Sequence, residues 1–85
     1  MKPVEIYTTP LCGFCHAAKR LLARKRVEFT EIDVSRDAAL RDRMVARAMG
    51  HRTVPQIFIG GAHVGGCDDL HDLDDAGRLD AMLAG

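Results

Sequence analysis

The sequence alternates between strand-like and helix-like segments, and this order limits the folds that it can adopt. Alternating apolar and polar residues predict a strand, whereas apolar residues three and four positions apart predict an amphipathic helix. These patterns predict strands over 4–8, 27–34, 56–60 and 62–64, helices over 14–23 and 38–49, and a last helical region over 70–83. The predicted order is therefore β-α-β-α-β-β-α.

This order of elements predicts how the strands pair. A strand, a helix and a second strand predict a right-handed parallel crossover. Gly60 and Gly61 separate the last two strands and favour an antiparallel hairpin. We therefore expect an α/β protein with a four-stranded mixed sheet and helices on its faces. Because 85 residues support one thin core, we expect a single domain over 1–85.

Charge and hydropathy exclude some classes of partner. Twelve Lys and Arg residues balance twelve Asp and Glu residues, so no net field would attract nucleic acid. No stretch approaches the about 20 apolar residues that span a membrane. The N-terminus also lacks the apolar segment of a signal peptide. We expect a cytoplasmic, monomeric protein that acts without nucleic acid or membrane.

Cys12 and Cys15 are separated by two residues and lie between the first predicted strand and helix. A disulfide across so short a loop restricts the unfolded chain only slightly, so a purely structural role is weakly supported. Zinc sites usually need a second pair of ligands, and neither Cys67 nor the scattered histidines supply one at the usual spacing. We expect the histidines to lie on the surface. The pair is therefore interpreted as a redox site.

The predicted position of Cys12 suggests a division of roles within the pair. Unpaired backbone N–H groups and the positive end of the dipole at a helix N-terminus stabilise a thiolate, so Cys12 is predicted to be the nucleophile. Cys15 lies one turn into the helix, where it is more shielded and can attack a mixed disulfide formed on Cys12. A protonated His16 beside the pair would add to the stabilisation of the thiolate.

Three motifs together resemble the glutaredoxin family: CGFC at 12–15, TVPQIFI at 53–59 and GGCDDL at 65–70. The similarity covers nearly the whole chain and is strongest to short bacterial members with two active-site thiols. It implies a thioredoxin-like fold. It also implies reduction of disulfide-containing and glutathionylated proteins, with glutathione as the electron donor.

The resemblance further implies a glutathione-binding groove. A cis peptide bond before Pro55 would turn the backbone of Val54 toward the cysteine of glutathione, which would pair with it through main-chain hydrogen bonds. The γ-glutamyl end would lie at a helix N-terminus, where Cys67 acts through its backbone and has no catalytic role. Taken alone, the residues at 66–68 also fit a turn and the N-cap of a helix. The implied glutathione-binding residues are Phe14, Thr53, Val54, Pro55, Gly66, Cys67 and Asp68.

The sequence departs from the family pattern in two places. Members often carry a Lys a few residues before the first cysteine, and this Lys holds the glycine carboxylate of glutathione. The corresponding positions 8–11 contain no Lys here. His51 or Arg52 is the candidate replacement. The second departure is Gly13, because Gly-Phe between the cysteines resembles the monothiol branch, which often binds an iron–sulfur cluster. The alternative function is a cluster carrier in which Cys12 of two chains and two glutathiones supply the ligands, and Cys15 argues against it.

Overall fold

The computed structural model describes all residues from 1 to 85. Its elements are β1 (Val4–Thr8), α1 (Gly13–Arg24), β2 (Thr30–Asp33), α2 (Ala38–Arg47), β3 (Gln56–Ile59), β4 (Ala62–Gly65), α3 (Cys67–Asp75) and α4 (Leu79–Leu83). The strands form one sheet in the order β2-β1-β3-β4. β1 pairs with β2 in parallel, and the β1–β3 and β3–β4 pairs are antiparallel. The predicted four-stranded mixed α/β sheet is confirmed.

β2 is shorter than the predicted strand over 27–34. Arg26 has a φ of 58°, and the N–H of Val27 donates to the carbonyl oxygen of Leu22 at 3.0 Å. The chain at Val27 is therefore still completing the end of α1. Val27 is buried in the core without pairing in the sheet, so its apolar character reflects core packing and not strand pairing.

The last helical region consists of two helices and not one. Gly77 has a φ of 70°, and its N–H donates to the carbonyl oxygen of Asp74 at 3.0 Å. The N–H of Arg78 donates to the carbonyl oxygen of Leu73 at 2.9 Å. These two bonds form a Schellman motif, which ends a helix at a residue in the left-handed region. α3 therefore stops before Gly77, and α4 starts as a separate helix at Leu79.

The sheet separates two clusters of buried side chains. On one face, apolar side chains of β1 and β3 pack against α1, α3 and α4. On the other face, Tyr7 and Phe58 pack against Met44 and Ala48 at α2. β1 and β3 are buried on both faces because they are the two central strands. None of the helices has the length and apolar composition needed to cross a lipid bilayer.

Arg47 ties α2 to the sheet. Its two terminal nitrogens donate to the carboxylate of Glu5 at 2.9 and 3.1 Å, and Nη1 also donates to the hydroxyl of Tyr7 at 2.9 Å. The guanidinium lies 4.1 Å from the centre of the Phe58 ring. Such a paired fork over an aromatic face fixes the orientation of a helix as well as its distance from the sheet.

Candidate active site

The loop that follows β1 places Cys12 at the N-cap of α1. Its backbone is extended, with φ −104° and ψ 107°, and its Sγ accepts a hydrogen bond from the N–H of Cys15 at 3.0 Å. The sulfur thus occupies the position that a Ser or Asp oxygen takes in most N-caps. Negative charge on Sγ is stabilised there by this N–H group and by the helix dipole.

The two cysteines form a disulfide, with their Cα atoms 5.2 Å apart. Cys15 is fully buried against the core, whereas Cys12 is only half-buried. Access to the two sulfurs is therefore unequal, and Cys12 carries the sulfur that a partner can reach.

The segment before β3 lies against Cys12. The Val54–Pro55 peptide bond is cis, as the family resemblance implies. The carbonyl oxygen of Val54 lies 3.7 Å from the Sγ of Cys12. Pro55 is buried and Val54 half-buried. The Val54 main chain is thereby directed toward the Cys12 sulfur.

A groove of about 380 Å³ runs from this segment to the start of α3. Its walls include all seven residues that the resemblance assigns to glutathione: Phe14, Thr53, Val54, Pro55, Gly66, Cys67 and Asp68. The fold thus brings together positions from three separate parts of the sequence. Binding of glutathione by these residues stays a prediction.

The far end of the groove is the N-terminus of α3. Gly66 is the N-cap, and its N–H donates to Oδ2 of Asp69 at 2.9 Å. The N–H groups of Cys67 and Asp68 have no partner within the helix, because the first turn of any helix lacks one. Gly65 has a φ of 120°, and a Cβ there would collide with the Asp69 carboxylate. Glycine at 65 therefore lets β4 run closely into α3.

The thiol of Cys67 is buried in the wall of the groove. Burial, and to a lesser degree the Asp68 carboxylate, raises the pKa of this thiol above its ordinary value. Nδ1 of His71 lies 3.4 Å from the sulfur and 2.9 Å from the carbonyl oxygen of Cys67. A protonated, shielded thiol is a poor nucleophile, which agrees with a binding role through the backbone alone.

Two of the four histidines differ from the surface positions expected of them. His63 and His71 are half-buried and hydrogen-bonded, so the expectation is wrong for these two. His16 is exposed, and its Nε2 lies 3.0 Å from the carbonyl oxygen of Pro10. Its ring therefore holds the loop before Cys12.

The structure distinguishes the two residues that are candidates to replace the missing Lys. His51 borders the groove, whereas Arg52 does not. The Arg52 carbonyl oxygen accepts a hydrogen bond from Arg41 at 3.3 Å. The sequence reasoning missed Gln56, which also borders the groove and is 3% exposed. A polar residue beginning an otherwise apolar strand, QIFI, was the available signal.

The mixed sheet, the cysteine pair at the start of α1 and the cis proline opposite it define a thioredoxin-like protein with a redox-active disulfide. The family model described as Glutaredoxin matches residues 4–64. The chain belongs to the glutaredoxin family, and membership implies thiol–disulfide oxidoreductase activity.

Individual relatives cover nearly the whole chain. A glutaredoxin of Pseudomonas aeruginosa is 56% identical over 84 residues, covering 99% of both chains. Glutaredoxin 3 of Escherichia coli K12 is 52% identical over 83 residues, covering 98% of this chain and 99% of its own. A crystal structure of a buckwheat glutaredoxin–glutathione complex superposes with a TM-score of 0.88 at 30% identity, covering 96% of this chain and 76% of that one.

Proposed function

We propose that the protein is a glutathione-dependent oxidoreductase that reduces protein disulfides and glutathione mixed disulfides. The observation that carries this proposal is the position of Cys12, whose accessible sulfur lies 3.7 Å from the Val54 carbonyl oxygen at the edge of the groove. The buckwheat relative, solved as a complex with glutathione, supports glutathione as the ligand.

Removal of glutathione from a protein uses Cys12 alone. The Cys12 thiolate attacks the glutathione sulfur of the mixed disulfide, and the S–S bond breaks as the substrate leaves as a thiolate that takes up a proton. A second glutathione, as its thiolate, then attacks the glutathione sulfur now bonded to Cys12. This step releases oxidised glutathione and regenerates the Cys12 thiolate.

Reduction of a protein disulfide uses both cysteines. Cys12 attacks one sulfur of the substrate and forms a mixed disulfide with it. The thiolate of Cys15 then attacks the sulfur of Cys12, releasing the reduced substrate and leaving the Cys12–Cys15 disulfide. The separation of 5.2 Å between the two Cα atoms is suited to this step. Two glutathiones return the pair to the dithiol form.

Glutathione is proposed to lie along the groove with its cysteine paired to the Val54 main chain. Its γ-glutamyl carboxylate would accept hydrogen bonds from the free N–H groups of Cys67 and Asp68. Its ammonium group would pair with the exposed Asp68 carboxylate, since the Asp69 carboxylate already binds the N–H of Gly66. His51 is the residue we assign to the glycine carboxylate.

Protein substrates are proposed to approach over Leu11 and Phe14, which flank Cys12. These side chains are 98% and 67% exposed, whereas the other large apolar side chains of β1 and α1 are buried. Apolar side chains exposed beside a reactive group are typical of contact sites for other proteins. We further propose that the protein acts as a monomer in a reducing compartment such as the cytoplasm.

A glutathione-coupled disulfide reduction assay on the purified protein tests the proposed function. Turnover that depends on glutathione supports it. Turnover that requires a thioredoxin reductase and proceeds without glutathione would contradict it.

An iron–sulfur carrier is the second candidate. The observation in its favour is the open space over Gly13, where no atom beyond the adjoining residues and the backbone of α1 lies within 4 Å of an added Cβ. Cys15 and Cys67 are buried, so each chain offers one accessible thiolate, and a cluster would need Cys12 of two chains and two glutathiones. The visible spectrum and iron content of anaerobically purified protein test this candidate. A colourless sample without iron after reconstitution removes it.

A further inference from the structure

A chain of hydrogen bonds connects His63 on β4 with Thr53 in the groove wall. Nε2 of Gln56 lies 3.0 Å from the carbonyl oxygen of Thr53 and 3.2 Å from its Oγ1. Because a carbonyl oxygen can only accept, the group facing Thr53 is the amide NH₂ of Gln56. The amide oxygen therefore faces the opposite way, where Nε2 of His63 lies 2.6 Å from it.

This orientation determines where His63 carries its proton. The amide oxygen of Gln56 has no hydrogen, so Nε2 of His63 must be the donor. Gln56 is 3% exposed, and water therefore has little access to replace this donor. His63 thus donates to the buried amide oxygen of Gln56, and the amide NH₂ of the same residue donates to Thr53.

The sheet holds the His63 ring in place. The β3–β4 register pairs His63 with Phe58, and the two rings lie 5.1 Å apart at an angle of 35°. Gln56 precedes Phe58 by two residues and so shares its face of β3. Ring packing and strand register together direct the Nε2–H of His63 at Gln56.

We propose that His63 is a positioning residue for glutathione binding. Its Nε2–H orients the Gln56 amide, the amide fixes Thr53, and Thr53 holds the adjacent Val54 main chain in its orientation toward the groove. The inference rests on the proposed function, because it assigns the Val54 main chain to glutathione.

Two substitutions at 63 separate the hydrogen bond from the ring. His63→Phe keeps an aromatic ring against Phe58 and removes the donor, whereas His63→Gln keeps an N–H donor of similar reach and removes the ring. The probe is S-methylglutathione, which has no free thiol, titrated into the reduced protein. We expect affinity to fall about tenfold in His63→Phe and to stay within about twofold of wild type in His63→Gln.

A third substitution tests the chain of hydrogen bonds from His63 through Gln56 to Thr53. Gln56→Met should lose as much affinity for S-methylglutathione as His63→Phe. The double variant should lose no more, because either substitution alone already breaks the chain of hydrogen bonds. Unchanged affinity in His63→Phe, equal losses in His63→Phe and His63→Gln, or additive losses in the double variant would each overturn the proposal.

Nuclear magnetic resonance of the wild-type protein decides the proposal even where a variant does not fold. Long-range proton–nitrogen correlation should show the His63 proton on Nε2, and an unprotonated Nε2 would overturn the inference. A wild-type protein that does not bind S-methylglutathione would instead contradict the proposed function. Relaxation of the Val54 backbone nitrogen would then still show whether His63 holds the segment before β3. We expect it to report greater mobility of Val54 in His63→Phe than in wild type.

Discussion

The carbonyl oxygen of Val54 lies 3.7 Å from the Sγ of Cys12, although 42 positions separate the two residues in the sequence. This contact joins the start of α1 to the segment before β3, and so places the accessible sulfur at the edge of the groove. The candidate active site therefore combines a cysteine whose position is determined locally with a groove wall supplied from elsewhere in the chain.

Replacement of each cysteine by serine should have unequal effects. Cys12→Ser should abolish turnover in the glutathione-coupled assay, because it removes the accessible nucleophile. Cys15→Ser should retain much of the deglutathionylation activity, since that route needs one thiolate, while losing reduction of protein disulfides. The assay is run on both substrate types with matched protein concentrations. Equal loss in the two variants on the glutathionylated substrate would contradict the assigned roles.

Gly13→Pro should stabilise the protein. Gly13 is the first residue of α1, a position where proline is favoured, and no atom lies within 4 Å of an added Cβ. The extended backbone of Cys12 also suits a residue before proline. We expect the free energy of unfolding in urea to rise by about 0.4–1 kcal/mol. Gly13→Ala is the control for loss of glycine flexibility alone, and a destabilised Gly13→Pro would show that this helix start differs from our description.

The ion pair between Glu5 and Arg47 should make stability depend on pH. The hydrogen bond from Arg47 holds the pKa of Glu5 below its ordinary value of 4.5. Ionisation of Glu5 therefore favours the folded state above that value, and this stabilisation is lost as the pH falls through the folded pKa. Because the side chains remain 29% and 34% exposed, we expect Glu5→Gln to cost only about 0.5–1 kcal/mol at pH 7.

Urea unfolding at pH 7 and pH 3 measures this effect. The difference between wild type and Glu5→Gln should shrink from pH 7 to pH 3, because the stabilisation by ionised Glu5 is lost as the pH falls through the lowered folded pKa. Glu28→Gln is the matched control, because Glu28 is exposed and makes no ion pair. A difference that stays constant with pH would show that the pair contributes through packing alone.

Gly65→Ala should impair both stability and glutathione binding. The φ of 120° disfavours any side chain, and a Cβ would displace the Asp69 carboxylate from the N–H of Gly66. We expect a loss of at least about 2 kcal/mol in the free energy of unfolding and a higher Michaelis constant for glutathione. Gly61→Ala is the control, since its φ is 82° in open space. Stability should fall less in this control, with the Michaelis constant unchanged; equal effects of the two substitutions on glutathione would contradict the assignment of the α3 N-terminus.

His51→Ala should weaken glutathione binding more than Arg52→Ala. His51 borders the groove and is assigned to the glycine carboxylate, whereas Arg52 lies outside it. We expect the Michaelis constant for glutathione to rise about threefold to tenfold in His51→Ala, as for the loss of one ordinary hydrogen bond at an exposed position. If neither substitution changes this constant, another part of the chain holds the carboxylate.

Local patterns predicted most of the fold. The alternation in β1, the apolar spacing of α1 and the Gly60-Gly61 turn each depend on neighbouring residues, and all three appear where expected. The start of β2 was misplaced because Val27 is apolar for core packing and not for strand pairing. The break at Gly77 was missed because the leucines lie at helical spacing on each side of it, at 70 and 73 before it and at 79 and 83 after it.

The sequence by itself determined the cysteine end of the candidate site. Cys12 caps a helix and Cys15 follows one turn later, and both relationships depend only on a few consecutive residues. Only the tertiary structure decided what faces that sulfur. The Cys12–Val54 contact, the groove wall and the His63–Gln56 hydrogen bond depend on strand order and register. These are set by the packing of the whole sheet against its helices, and no short stretch of sequence specifies them.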